Sequence, residues 1–243
     1  MDRLKEVWFF DGQVRVDQPA QGYRAGTDAL LLAMSVQARP NDKILDLGTG
    51  SAIVPCLLHH RFSHCQITGL ERDVAMRSLA RQNTKDIRTI EIVSGDVGDI
   101  PKSWHLQFDQ VVSNPPFFDD AKSIRMSQDK APSFVAGDTC LIDWIAAMLV
   151  TLKPRGLGTL IYRADGLEKI LYALFGKAGR IRICPIHSYA DEPAKRIIVQ
   201  FRKGVNSKSA IKPALILHER NTDSRYTEAA QAVLNGKTPL IMA

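Results

Sequence analysis

Lys43-Ile44-Leu45-Asp46-Leu47-Gly48-Thr49-Gly50-Ser51-Ala52 is the stretch on which the fold turns. Its first five residues are rich in Ile and Leu and read as a buried strand. Two glycines follow, and Ile53–Arg61 then reads as a helix. A strand that turns through glycines into a helix is the opening unit of a parallel α/β sheet. Glycine lets the backbone turn tightly and approach a ligand with no Cβ in the way. Ala52 takes the third small position. A dinucleotide fold uses the same turn to seat pyrophosphate at a helix N-terminus. The pattern also fits a tight turn with no ligand.

Downstream, strand and helix alternate. Gln66–Glu71, Thr89–Ser94, Gln110–Ser113 and Leu157–Tyr162 read as strands. Val74–Gln82, Leu141–Leu152 and Leu167–Lys177 read as helices. The alternation predicts a parallel sheet with helices on both faces. Arg180–Ile186 and Arg196–Arg202, joined by a turn around Asp191-Glu192-Pro193, predict a closing antiparallel pair. Upstream, residues 7–17 alternate around Asp11-Gly12 and predict a short hairpin. Residues 27–37 predict a helix whose N-cap is Thr27 or Asp28. Residues 203–243 are polar at first, then helical over Thr227–Asn235, and end on apolar Leu240-Ile241-Met242. The whole, 1–243, is expected to form one domain: an extension over 1–40, a core over 41–202 and a tail over 203–243.

With 45% hydrophobic and 24% charged residues, the chain has enough apolar surface to bury a core, which excludes disorder over most of its length. A net charge of +6 favours an anionic partner, nucleic acid before others. Cys56, Cys65, Cys140 and Cys184 form no C-x-x-C pair, as expected of a reducing cytoplasm. The charged start, Met1-Asp2-Arg3-Leu4-Lys5-Glu6, is not a secretory signal, and no apolar run is long enough for a membrane span. His60 and His64 stand four apart, but no second ligand pair accompanies them, so no metal is expected. No G-x-S-x-G elbow or Walker loop is present, which disfavours a serine hydrolase or a P-loop enzyme.

Acidic residues surround the glycine turn. Glu71 closes the second core strand, where a carboxylate accepts hydrogen bonds from ribose hydroxyls. Asp96 follows the third and could accept from an adenine amino group or cap a turn. Asp46 could anchor the loop through backbone amides. These positions suit a dehydrogenase and a methyltransferase equally. Asn114-Pro115-Pro116-Phe117, closing the fourth strand, separates the two. The exocyclic amine of an aromatic base is a poor nucleophile, because its lone pair is spread into the ring. The Asn114 side-chain oxygen and the Pro115 carbonyl could accept both amine hydrogens and aim the lone pair at an electrophilic methyl. The two prolines hold the backbone, and Phe117 offers a ring on which an extruded base stacks.

Asp46–Ala52, Glu71, Asp96 and Asn114–Phe117, in this order, resemble the class I S-adenosylmethionine-dependent methyltransferases with an N/D-P-P-Y/F motif. The resemblance spans residues 40–202. It implies a Rossmann-like, seven-stranded, mostly parallel sheet with an antiparallel last strand, and S-adenosylmethionine as cofactor. It gives Asn114, Pro115, Pro116 and Phe117 to catalysis. It gives Asp46, Gly48, Gly50, Glu71, Asp96 and Asn114 to the cofactor. The segment from Gly22 to Leu32 resembles the N-terminal "GTD" segment of bacterial enzymes that methylate adenine N6 beside the anticodon of a valine tRNA. That likeness places Gly26, Thr27 and Asp28 over the cofactor. Related groups methylate guanine N2 of ribosomal RNA or a protein glutamine. A non-catalytic RNA-binding protein on this scaffold is a further reading.

Lys122, Arg125 and Lys130 follow the reaction motif, and Lys195, Arg196, Arg202 and Lys203 cluster later. Both groups are expected to meet RNA phosphates, most simply those of tRNA. Aromatic residues are thinly interleaved with them, which argues against a long single-strand stacking platform. Nothing in the sequence sets the oligomeric state.

Overall fold

The structure, a computed structural model, describes residues 4–20, 26–117, 140–220 and 224–242. Two strands, β1 (Leu4–Phe9) and β2 (Val14–Pro19), form the expected hairpin, with Leu4 opposite Pro19 and Phe9 opposite Val14. Period-two alternation turns Val14 and Val16 inward and Arg15 out. The first helix, α1 (Thr27–Ser35), is buried from Ala29 to Ser35. Its N-cap is Gly26, one residue before the expected Thr27 or Asp28. Glycine has no side chain with which to cap the helix, and the Asp28 carboxylate accepts from Arg196 of β9.

The core strands are β3 (Lys43–Leu47), β4 (Gln66–Glu71), β5 (Ile90–Ser94), β6 (Phe108–Ser113), β7 (Leu152–Arg163), β8 (Ala178–His187) and β9 (Arg196–Lys203). They lie in the order β8-β9-β7-β6-β3-β4-β5, and β9 runs antiparallel to both neighbours. This is the expected sheet. Two-residue strands of the tail, β10 (Ala210–Ile211) and β11 (Leu215–Ile216), extend β8 and bring the sheet to nine. The remaining helices among the described residues are α2 (Ile53–Arg61), α3 (Val74–Thr84), α4 (Leu141–Thr151), α5 (Leu167–Leu174) and α6 (Glu228–Leu234). One apolar core joins the hairpin, α1, α2 and the tail on one face, and a second joins α4 and α5 on the other.

Among the core elements, two boundaries move by three residues or more from expectation. β7 starts at Leu152 rather than Leu157, because Leu152 already pairs with Phe108 before the register shifts around Gln110. Arg155 takes a positive φ of 63°, yet the strand runs through it. α5 stops at Leu174, two residues before Gly176 adopts a φ of 69°.

Strand order reverses where β3 meets β6. Leu47 pairs with Ser113 there, and the Ser113 hydroxyl donates to the Leu47 carbonyl at 3.0 Å. Gly48 and Asn114 are the next residues on each strand. The glycine turn and the Asn-Pro-Pro-Phe run therefore leave the sheet side by side, at the switch point where open α/β sheets bind ligands.

Candidate active site

The glycine turn is held by β4. The amides of Gly48 and Thr49 both donate to the Leu70 carbonyl at 2.9 Å. The amide of Gly50 donates to the Glu71 carboxylate at 2.8 Å, and the Asp73 amide donates to the other Glu71 oxygen at 2.8 Å. Each carboxylate oxygen keeps acceptor capacity for a further hydroxyl. Loop anchoring thus falls to Glu71 and not to Asp46, as the sequence had suggested. Asp46 accepts none of these amides; among the described residues its Oδ2 is buried without a hydrogen-bond partner. Burial pushes its carboxyl up to about 7; the nearby Thr49 hydroxyl opposes that and the Glu71 charge reinforces it. Among the described residues Thr49 Oγ1 makes no hydrogen bond of normal geometry, so its influence on Asp46 is that of a neighbouring dipole.

The two glycines are needed for different reasons. Gly48 has a φ of 70°, and a Cβ there would lie 2.4 Å from the Trp144 indole. Gly50 has a φ of 57°, but a Cβ would meet nothing nearer than Met76 at 3.8 Å. Ala52 takes a φ of 65° as the N-cap of α2. Asp96, beyond β5, accepts from the Gly98 amide at 2.8 Å and pairs with Arg72 at 3.4 Å, so it caps a turn. The carboxylates of Glu71 and Asp96 beside one glycine turn, joined by Asp46 where it ionises above about pH 7, would repel a pyrophosphate. They suit a ligand with hydroxyls, an amino-bearing ring and positive charge, which is the donor set of S-adenosylmethionine.

At the end of β6, Pro115 is buried, Asn114 and Phe117 are half-buried, and Pro116 is exposed. The Phe117 ring meets Tyr162 of β7 edge-on, with centroids 5.5 Å apart. The Arg196 guanidinium lies over the same ring at 4.6 Å, and its Nε donates to Asp28 at 3.0 Å. Arg196, expected among phosphate contacts, thus joins α1, β6 and β9 at the reaction motif. Gly26 and Thr27 lie at the N-terminus of α1 beside Asp28. Tyr162 has no motif in sequence; only the β6–β7 register brings it here.

The other basic residues divide. Lys195 sits by Arg196 and pairs with Glu192 at 3.5 Å. Arg202 and Lys203 lie at the opposite edge of the sheet, where they donate to the Arg155 and Leu152 carbonyls, each at 2.8 Å. Lys122, Arg125 and Lys130 lie outside the described residues. Past the end of β8, three rings distant in sequence meet. His218 stacks on Tyr226 at 5.1 Å and touches Tyr189 at 5.6 Å; Arg220 covers Tyr189 at 4.3 Å and Arg225 covers Tyr226 at 5.3 Å. Hydrogen bonds from the Leu217 and His218 amides to the His187 and Ser188 carbonyls align the segments that carry them.

A family model described as "Methyltransferase small domain" matches residues 20–133. A tRNA1(Val) (adenine(37)-N6)-methyltransferase from Mannheimia succiniciproducens is 31% identical over 236 residues, covering 93% of this chain and 92% of its own length. One of the same name from Actinobacillus pleuropneumoniae is 29% identical over 215 residues, covering 85% of this chain and 86% of its own. A solved structure from Agrobacterium tumefaciens, described as a predicted O-methyltransferase, superposes with a TM-score of 0.73 at 24% identity, covering 88% of this chain and 98% of that one. At that identity the likeness concerns the fold alone.

Proposed function

We propose, for a chain that belongs to the family of tRNA1(Val) (adenine(37)-N6)-methyltransferases, that it methylates adenine N6 in the anticodon loop of a valine tRNA. It is an S-adenosylmethionine-dependent methyltransferase. The observation that supports its base-directed chemistry is the pairing of Leu47 with Ser113, which sets the glycine turn beside Asn114–Phe117. Gly48, Gly50, Asp46, Glu71 and Asp96 would hold the cofactor, with Gly26, Thr27 and Asp28 closing over it. When bound, the cofactor supplies a methyl group on a positively charged sulfur.

The Asn114 carboxamide oxygen and the Pro115 carbonyl would accept the two hydrogens of the amine. That draws the nitrogen toward a tetrahedral shape and localises its lone pair. The two acceptors would thereby aim that lone pair at the methyl group the cofactor supplies. The methylated nitrogen then loses one proton to solvent, so no strong side-chain base is needed. Phe117, backed by Arg196 and Tyr162, would supply the face on which the extruded base stacks. The aromatic and guanidinium stack beyond β8 lies on the same edge and suits the unpaired nucleotides of a loop.

The test uses purified protein, isotopically labelled S-adenosylmethionine and unmodified tRNA, followed by nucleoside mass spectrometry. Label in N6-methyladenosine is expected. Label in N2-methylguanosine, or in protein glutamine with none in RNA, would overturn the choice of substrate.

A further inference from the structure

The end of the sheet opposite the reaction motif gathers four arginines, beside Asp42, which accepts from the Arg39 amide at 3.0 Å, and Asp109, which is taken up by Lys153. Arg39 follows α1, Arg180 and Arg182 open β8, and Arg202 lies near the end of β9. Together with Gln200 and Met242 they line a cavity of about 260 Å³. Among the described residues, no aspartate or glutamate lines it. Among the described residues, none of the four guanidiniums has a carboxylate within ion-pair distance, although Lys153 nearby pairs with Asp109 at 2.7 Å.

The local backbone gathers these side chains. Gly179 pairs with Arg202 and Arg182 with Gln200, so β8 carries one residue more than β9 between the two pairs. The extra residue includes Arg180 in its span, and Arg180 holds a φ of 50°, where glycine would be unstrained. Backbone carbonyls orient two of the four: Arg182 donates to Lys208 and Arg202 to Arg155, each at 2.8 Å. A carbonyl directs a guanidinium but does not neutralise it. Burial, and then the charges of Arg180, Arg39 and Arg155, disfavour the charged form of Arg202. An anion in the cavity would relieve that repulsion.

Guanidinium forks match the paired oxygens of a phosphate. At roughly 30 Å³ per water, the cavity has room for a phosphate with its sugar or several waters. Arg196 and Arg202 are six residues apart on β9, so the cavity lies about 20 Å from the Phe117 ring along the strand. That span fits two points on one folded RNA.

We propose that this cavity is a second phosphate-binding site, and that it holds backbone phosphates of the RNA whose base enters the opposite edge; the RNA clause rests on the function proposed above. The test compares the full chain with Arg39→Gln/Arg180→Gln. Dissociation constants for unmodified tRNA are measured between 50 and 200 mM salt. In parallel, the RNA-free proteins are melted in inorganic phosphate. S-adenosylmethionine affinity and the melting temperature without phosphate serve as fold controls. Arg39→Lys/Arg180→Lys serves as the charge-retaining comparison.

The expected result is tRNA binding weaker by about five- to tenfold at low salt, with a log–log salt slope shallower by about one to two. The lysine pair should restore most of the slope. An unchanged slope, with phosphate stabilising the parent and not the glutamine variant, would keep the phosphate site but overturn the RNA clause in favour of a small phosphorylated ligand. An unchanged slope with no phosphate stabilisation would overturn the site altogether. Neither readout involves methyl transfer, so a failure here is distinct from failure of the methylation reading.

Discussion

Asn114 is the residue whose loss should separate chemistry from binding. Asn114→Ala removes one acceptor for the amine and leaves the glycine turn intact. Turnover should fall by about 10²-fold or more, and cofactor affinity should stay within about twofold. Titration calorimetry with S-adenosylmethionine checks this, and a parallel loss of affinity would sink the division of roles. Gly48 and Gly50 should differ in the same assay. Gly50→Ala meets only the strain of a positive φ, roughly 1–2 kcal/mol, whereas Gly48→Ala adds a collision with Trp144. Gly48→Ala should therefore lower the melting temperature and the cofactor affinity more than Gly50→Ala; equal effects would mean that Trp144 yields freely. Asp46 makes a pH prediction. Its carboxyl holds a proton up to about pH 7 in the fold, against 3.8 in an open chain. Between those values the folded state binds the extra proton, so stability falls as pH rises, by up to about 1.4 kcal/mol per unit, and levels off above 7. Asp46→Asn should lack that decline in urea unfolding; parallel curves for parent and variant would refute it.

At the scale of elements, the reaction motif is a convergence. α1 brings Asp28, the end of β6 brings Phe117, β7 brings Tyr162 and β9 brings Arg196. If Arg196 were simply a phosphate contact, Arg196→Lys would keep its charge and most of its effect. A stacked, forked guanidinium is not replaced by an ammonium. Arg196→Lys should then reduce kcat/KM for tRNA by about 5- to 30-fold, equivalent to about 1–2 kcal/mol, at unchanged cofactor affinity. Full activity in the lysine variant would return Arg196 to the phosphate reading. The strands that carry the motifs were legible in sequence, because β3, β4, β5 and β6 are short apolar runs, each ending in chemistry. Arg196 was legible as a charge but not as a neighbour of Phe117. That contact depends on the β6–β7 and β7–β9 registers, which connect residues far apart in the chain. Asn83 shows the same limit. From α3 it donates to the Asp17 and Ser51 carbonyls and accepts from the Asp17 amide, tying the hairpin to the glycine turn, yet it reads as one polar residue on a solvated helix.

Across the whole molecule the tail is the part least visible in sequence, because its burial depends on a surface made by distant segments. Residues 203–226 read in sequence only as a polar stretch, but β10 and β11 pair with β8, and Thr227 caps α6 by accepting from the Ala230 amide at 3.1 Å. Ala230, Val233 and Met242 enter the core that holds α1 and the hairpin, and the Leu240 amide donates to the Met34 carbonyl at 3.0 Å. Gly236, at a φ of 75°, turns the chain against the Phe10 ring, where a Cβ would come within 2.7 Å. Deleting residues 237–243 would uncover Met34 and forfeit the burial of Met242, which is 1% exposed. Burying a methionine contributes about 1.5–3 kcal/mol, and the lost hydrogen bond adds about 1 kcal/mol. For a chain of this size each kcal/mol moves the melting temperature by about 2–4 °C, so the truncated protein should melt roughly 5–15 °C lower. None of these contacts involves Glu71, Asp96 or Asn114, so cofactor affinity at 20 °C should remain within about twofold. Calorimetry on both forms decides the matter. An unchanged melting temperature would mean that the end of the tail is not held in solution. A lost cofactor site would mean that α1, once unsupported, no longer holds Asp28 against Arg196.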